Sequence, residues 1–254
     1  MLCAWSFAAL RHRPDVLVIG TDPVSSILTA LPWKALRPRT RIFHWYFDLH
    51  SEAAIAEGMV TDRHPIVRLL RPLLRRAYRS CDLLGSLGPC MSRRLRDYAP
   101  DTAMDTYTPW APLEPTAPLP VDPEERATVF GEAHLALMYS GNFGMAHDAD
   151  LILTLARRLR QHPGIRFVFS IRGHRPEALW QAVWPDDRNI AYIGFAPQER
   201  LGAADIQMVS LRPEFEGTVV PSKFQGARPS APPAWTKSPN SCPNSQRIPP
   251  NWTI

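Results

Sequence analysis

Three clusters of residues in this 254-residue chain have types and spacings suited to chemistry. The first lies in 205–226, DIQMVSLRPEFEGTVVPSKFQG. Ile206, Met208, Val209 and Leu211 make an apolar run of strand length that Arg212 and Pro213 stop. A loop with two carboxylates, Glu214 and Glu216, then leads to Gly217 and a predicted helix start. In open parallel α/β sheets, ligands gather at the carboxyl ends of strands, where helix N-termini offer unpaired N–H groups. Glu214, Glu216 and Lys223 stand where a bound small molecule would be. A second reading stays open: Glu216 is favoured by a helix macrodipole and Lys223 is a solvated residue.

The second cluster starts at 140–144, SGNFG, between a predicted strand at 135–139 and a predicted helix at 148–161. Glycines let backbone N–H groups approach an anion, which suits a phosphate. The loop matches neither GxGxxG nor GxxxxGK[ST], and an ordinary βα turn would look the same. Arg172, with Gly173 and His174 after it, ends the next strand, 166–171, on the same sheet edge. Arg172 and Lys223 converging on a glycine loop could neutralise a diphosphate, and a surface arginine at a strand end is the alternative. The third cluster is Asp48 and Glu52, four residues apart at the end of the strand 41–47. Paired carboxylates orient hydroxyls or exchange protons, and the same pair could simply flank a helix start. His44, inside that strand, reads as a core histidine.

The elements that must position these residues alternate. Strands are expected at 16–19, 41–47, 82–87, 135–139, 166–171, 190–193 and 206–211, with helices at 24–31, 53–59, 65–80, 90–98 and 148–161. Pro72 should kink or break the helix 65–80, and Pro89 sits at a favoured first-turn position. This βα alternation on both sides of a proline-rich stretch, six prolines in 109–123, predicts an α/β chain of two Rossmann-like, doubly wound domains at 1–111 and 112–226. The stretch 227–254 has seven prolines and no acidic residue, so it reads as a disordered tail.

The net charge of +5 is uneven: 15 basic against 10 acidic residues in 1–111, 11 against 14 in 112–226, and 3 against none beyond. The first half is the one that favours anions. Within it Arg68, Arg71, Arg75 and Arg79 share a face of the helix 65–80, and the stripe carries no compensating carboxylate. A solvated face and a contact with an anionic membrane surface are the two readings of that stripe. No nucleic-acid motif accompanies it. Four scattered cysteines give neither a disulfide framework nor a zinc site, and no metal is expected. The arginines at 11 and 13 follow the apolar stretch 2–10, the reverse of a secretory signal, which reads as a cytoplasmic start.

Taken together, HWYFDLHSEAA, CDLLGSLGPCMSRRL, TPWAPLEP, YSGNFGMAHD and SLRPEFEGTVVPSKFQGA resemble the family 4 glycosyltransferases of GT-B fold, most of all the branch that builds bacterial cell-surface polysaccharides. The resemblance covers about 14–226. It implies two Rossmann-like domains facing a cleft, with a nucleotide-sugar donor on the second and a glycan or polyprenyl-lipid-linked acceptor on the first. It implies retention of anomeric configuration without a cofactor or metal. By resemblance, Gly141, Asn142, Gly144, Arg172, Glu214, Ser222 and Lys223 form the donor site. Glu216 would hold sugar hydroxyls, and Asp48 and Glu52 would face the cleft. A nucleotide-sugar epimerase of the same fold and an inactive membrane-associated remnant are the alternatives.

The sequence departs from the family in three places. His50-Ser51 stands where an aromatic-proline pair is usual. Phe224 stands where a second glutamate is usual. The family pattern also lacks its opening βα units and stops after Gly226, so both domains are expected to be incomplete, as in a truncated or frame-shifted gene. The expected location is cytoplasmic, at the inner face of the membrane.

Overall fold

The computed structural model describes residues 7, 11–107, 121–172, 176–195 and 198–221. Ser222, Lys223, Gly173, His174, most of the proline-rich stretch and the whole of 227–254 lie outside them. The described chain forms two compact units. One is Met1–Thr108 with Phe215–Val220, the other Pro109–Glu214.

The first unit runs β1 (Val16–Ile19), α1 (Ala30–Leu36), β2 (Arg41–Trp45), α2 (His50–Ala56), α3 (Pro65–Arg79), β3 (Leu83–Ser86), α4 (Pro89–Arg96) and β4 (Met104–Thr106), with a 3-10 turn at Ser26–Thr29. Its four strands are parallel and lie in the order of the chain. Trp33, Ile42, Leu49, Leu84, Met91 and Leu95 are buried together, and each such side chain contributes about 1.5–3 kcal/mol when taken out of water.

The second unit runs α5 (Pro123–Phe130), β5 (Leu135–Asn142), α6 (Ala149–Arg158), β6 (Ile165–Arg172), α7 (Pro176–Gln181), β7 (Ile190–Tyr192) and β8 (Ile206–Gln207). Its strand order is β7-β6-β5-β8, again parallel. Alternate residues leave opposite faces of a strand. Leu137, Tyr139, Phe167 and Phe169 therefore join one buried layer, and Ala136, Met138 and Val168 join another. Both faces are covered, as a doubly wound α/β sheet requires. The α/β class expected from the sequence is the observed one.

One device recurs in both units. Asp82, just before β3, accepts from Ile42 N–H at 2.7 Å and from Lys34 at 2.7 Å. Asp205, just before β8, accepts from Ala136 N–H at 2.7 Å and from Arg126 at 2.8 Å. Each aspartate thus pins the amide of a neighbouring strand and balances its own charge, which fixes strand register from the sheet's amino end.

Several expectations are corrected. Ser140, Gly141 and Asn142 are not a loop but the end of β5, paired with Ser170, Ile171 and Arg172. The eight-residue β6 offers a pairing edge that far, and Gly141 takes φ +100°, which a side chain would resist. The helix expected at 24–31 begins later, as a 3-10 turn followed by α1. Pro72 does not break α3, which runs unbroken from Pro65 to Arg79. Pro72 and Arg68 are exposed, so the carbonyl deprived of its donor meets water. No helix starts at 217–221. The β-branched Thr218, Val219 and Val220 ahead of Pro221 disfavour one, and the segment is instead held against the first unit.

Candidate functional site

The order β7-β6-β5-β8 decides where a ligand belongs in the second unit. From β5 the chain steps outward to β6 and β7, then returns to lay β8 on the other side of β5. The direction of winding reverses between β5 and β8, and open α/β sheets bind ligands outside the carboxyl ends of strands at such a reversal. The first sheet, whose strands follow chain order, has none among the described residues.

At that edge Asn142 and Arg172 stand side by side in register. Arg172 Nε donates to Asn142 Oδ1 at 3.0 Å, and its guanidinium lies 4.2 Å from the centre of the Phe195 ring. The cation is thereby oriented while its side chain stays exposed. Phe143 N–H donates to the Arg172 carbonyl at 2.8 Å, so the turn containing Gly144 springs directly from this pair. The turn is also tied to the β8 side. Arg212 N–H donates to the Ala146 carbonyl at 2.8 Å, His147 Nδ1 lies 3.0 Å from the Ser210 carbonyl, and Asp148 N–H donates to Ser210 Oγ at 3.1 Å. Asp148 caps α6 by accepting from Leu151 N–H. Arg212 lies 3.6 Å from Glu214.

The edge therefore brings together Asn142, Gly144, Arg172 and Glu214 of the predicted donor site. It adds Arg212, His147 and Ser210, which the sequence reading passed over. The sequence signal that marks Arg172, an arginine at a strand's carboxyl end, marks Arg212 as well.

Glu216 belongs to the first unit. Its backbone carbonyl accepts from Arg94 Nε at 2.6 Å, and two residues on, the Thr218 carbonyl accepts from Leu49 N–H at 2.7 Å. Phe215 and Thr218 are buried, and Gly217 at φ +73° turns between them. The motif Glu214-Phe215-Glu216 thus spans the point where the chain passes from one unit to the other.

Asp48 and Glu52 are not an equivalent pair. Glu52 accepts from the Tyr98 hydroxyl and lies 3.7 Å from Arg71, which also binds Asp62 at 2.6 Å. Burial, together with the Glu52 charge, pushes the Tyr98 hydroxyl up to about 12. Asp48 is half-buried, and burial raises its carboxyl above the usual range, although His50 opposes the shift. Replacing Tyr98 by Phe is expected to lower stability by about 1.5–3 kcal/mol, the size of a hydrogen bond to a charged group. Urea unfolding would read it, and an unchanged midpoint would mean that the network carries nothing.

The arginine stripe is also corrected. Arg71 is offset by Asp62 and Glu52, carboxylates outside the helix, and Arg79 Nε donates to the Tyr98 carbonyl at 3.2 Å. Arg68 and Arg75 remain exposed and make no ion pair among the described residues. Among the described residues no cluster of His, Cys, Asp and Glu is placed to hold a metal, and no helix is long and apolar enough to cross a membrane.

No protein-family model matches the chain, and no curated protein matches it. Solved structures do. The catalytic domain of starch synthase IV from Arabidopsis thaliana, bound to ADP and acarbose, matches with a TM-score of 0.59 at 13% identity over 88% of this chain and 57% of that one. The HepE protein of Anabaena in complex with UDP matches with 0.55 at 12% identity, over 81% and 55%. A UDP-forming trehalose-phosphate synthase from Burkholderia xenovorans with glucose-6-phosphate matches with 0.52 at 16% identity, over 88% and 60%. The fold is GT-B. This chain spans 55–60% of the length of these three GT-B structures, and the likeness is one of fold.

Proposed function

We propose that this chain carries out glycosyl transfer, moving a sugar with retention from a nucleotide-diphosphate donor to a glycan or lipid-linked acceptor in cell-surface polysaccharide assembly. The observation that carries the reading is the winding reversal between β5 and β8, with Arg172, Asn142, Arg212 and Glu214 at its carboxyl edge. UDP and ADP occupy two of the similar structures, which supports a nucleotide there. Arg172 and Arg212 would face the diphosphate, where arginine's planar fork suits bidentate contact, and the backbone around Gly144 would approach it closely. Glu214 would belong to the donor-binding set, and Glu216 would hold sugar hydroxyls. Ser222 and Lys223 join the donor site on the strength of the sequence resemblance, as does the absence of a metal requirement.

The residues would work by positioning the donor and by stabilising charge as the nucleotide phosphate departs. Asp48 is the carboxyl whose raised affinity for protons suits exchange with an acceptor hydroxyl. The chain would act at the cytoplasmic face of a membrane, held there by α3.

Titration with UDP and ADP tests the site. Arg172→Ala is expected to weaken binding more than ten-fold without moving the unfolding midpoint, because the side chain is exposed, and Arg172→Lys to fall between. Unchanged affinity in Arg172→Ala would remove the assignment. An assay with UDP- and ADP-sugars in the presence of EDTA then tests transfer. Epimerised sugar nucleotide without release of nucleotide would overturn it.

A further inference from the structure

The first unit encloses a cavity of about 240 Å³ beneath α3, in a region that none of the donor residues uses. Its walls are Val24, Ala54, Val60, Ile66, Val67 and Leu70. Most of the polar groups around it are engaged by the protein, while the Nε2 atoms of His44 and His50, which also line it, are buried without a hydrogen-bond partner among the described residues, His50 lying 3.7 Å from Asp22. The Tyr46 and Tyr78 hydroxyls bind each other, Thr21 Oγ1 accepts from Phe47 N–H, Ser26 Oγ donates to the Gly20 carbonyl, and His44 Nδ1 pairs with the Ile19 carbonyl. His44 Nε2 is sealed from solvent, its ring edge-on to Tyr46. A sugar placed here would bury hydroxyls that find few partners, each at a cost of about 1–3 kcal/mol. An apolar chain needs no partners.

The outer side of α3 continues the same chemistry. Leu74, Ala77 and Tyr78 face the core. Ile66, Leu69 and Leu73, spaced to share a second strip, are 59%, 68% and 42% exposed. Arg68, Arg75 and Arg79 share a third strip, also exposed. Val24 and Ile66 both line the cavity and are exposed, so its mouth opens beside the apolar strip. The volume falls short of the roughly 300–1,000 Å³ that encloses a whole small ligand, which sizes it for one end of a longer molecule.

We propose that this cavity takes the apolar chain of a single-chain phosphate-bearing lipid, with the chain continuing along Leu69 and Leu73 and the phosphate beside the arginines of α3. The proposal rests on the transferase reading only in making that lipid the acceptor, and it then favours a lipid-linked acceptor over a free glycan. The cavity's preference for a chain stands without it.

The test uses the full chain and a decyl phosphate bearing a diazirine at the chain end. Photolabelling is expected at Val24, Ala54, Val60, Ile66, Val67 or Leu70, with farnesyl phosphate competing at least ten-fold better than inorganic phosphate or farnesol. Ala54→Phe and Leu70→Trp, which fill the cavity, are expected to weaken farnesyl phosphate binding ten-fold while UDP binding is kept. Labels mapping elsewhere, or inorganic phosphate competing as well as farnesyl phosphate, would overturn the proposal. The label map on the unmodified chain decides even if both variants misfold. Labelling in a chain that binds no UDP would keep the lipid site and remove the acceptor role. UDP binding without labelling would remove the lipid site and leave the donor reading standing.

Discussion

Replacing Gly217 by Ala is expected to lower stability by about 3 kcal/mol, whereas the same change at Gly58 should lower it by about 1 kcal/mol. Both glycines have nearly the same backbone, φ +73° and +75°, so both lose roughly the same amount from forcing a side chain into the left-handed region. Their surroundings differ. A Cβ at Gly58 meets nothing within 4 Å, but at Gly217 it would lie 2.7 Å from the Cys90 carbonyl oxygen. That atom belongs to the backbone of α4 and cannot swing aside, so overpacking of about 1–3 kcal/mol is added. The strain is expected to release Phe215–Val220 from the first unit, which breaks the Leu49 N–H to Thr218 bond. Urea unfolding of both variants and hydrogen exchange at the Leu49 amide would read the effect. Equal losses at the two glycines, with Leu49 still protected, would mean that this segment is not seated on α4. If it is seated there, Gly217→Ala should also weaken any role of Glu216, one residue away.

The same segment marks the limit of what the sequence made legible. Strand and helix alternation was readable because Ile42, Leu84, Leu137 and Phe167 fall in short apolar runs bounded by turn residues. Arg172 was readable as a strand-end cation because its strand is long and uniformly β-prone. The glycine at 141 misled: glycine signals a loop locally, but the partner strand β6 supplied hydrogen bonds that drew it into the ladder. The docking of Thr218 against Leu49 was not readable, since it joins residues 169 positions apart through backbone atoms that every residue has. Nor was the offsetting of Arg71, because Asp62 reaches it only when the loop before α3 folds back. The candidate donor edge was therefore half visible. Its charged residues could be named, but the winding reversal that gathers them depends on the order of strands, and strand order is a property of the folded sheet.

The second large effect is expected from His44 as pH falls. This imidazole is 1% exposed and lies among Tyr46, Tyr78 and the Ile19 carbonyl. Burial lowers its pKa from 6.5 to about 4, against the smaller opposing effect of the bond to Ile19. The folded value lies below the unfolded one, so between pH 6.5 and about 4 the unfolded chain binds a proton that the folded chain refuses. Stability is therefore fully present above about pH 6.5 and falls as pH drops through this window, by about 3 kcal/mol in all. The two tyrosines stay neutral throughout, since burial raises both hydroxyls, so they add no slope. Urea unfolding at intervals from pH 7.5 to 4.5, compared with His44→Gln, isolates the contribution. The glutamine variant starts less stable, with an amide in place of the ring, but its stability should fall less steeply across the window because it carries no titrating group at that position. Parallel curves for the two proteins would mean that His44 ionises freely and is not sealed beneath the cavity. The floor beneath α3 would then be wet, and a wet floor would accept the hydroxyls that a dry one excludes. The pH curve of a single buried histidine thus bears directly on whether this side of the protein receives a lipid chain or a sugar.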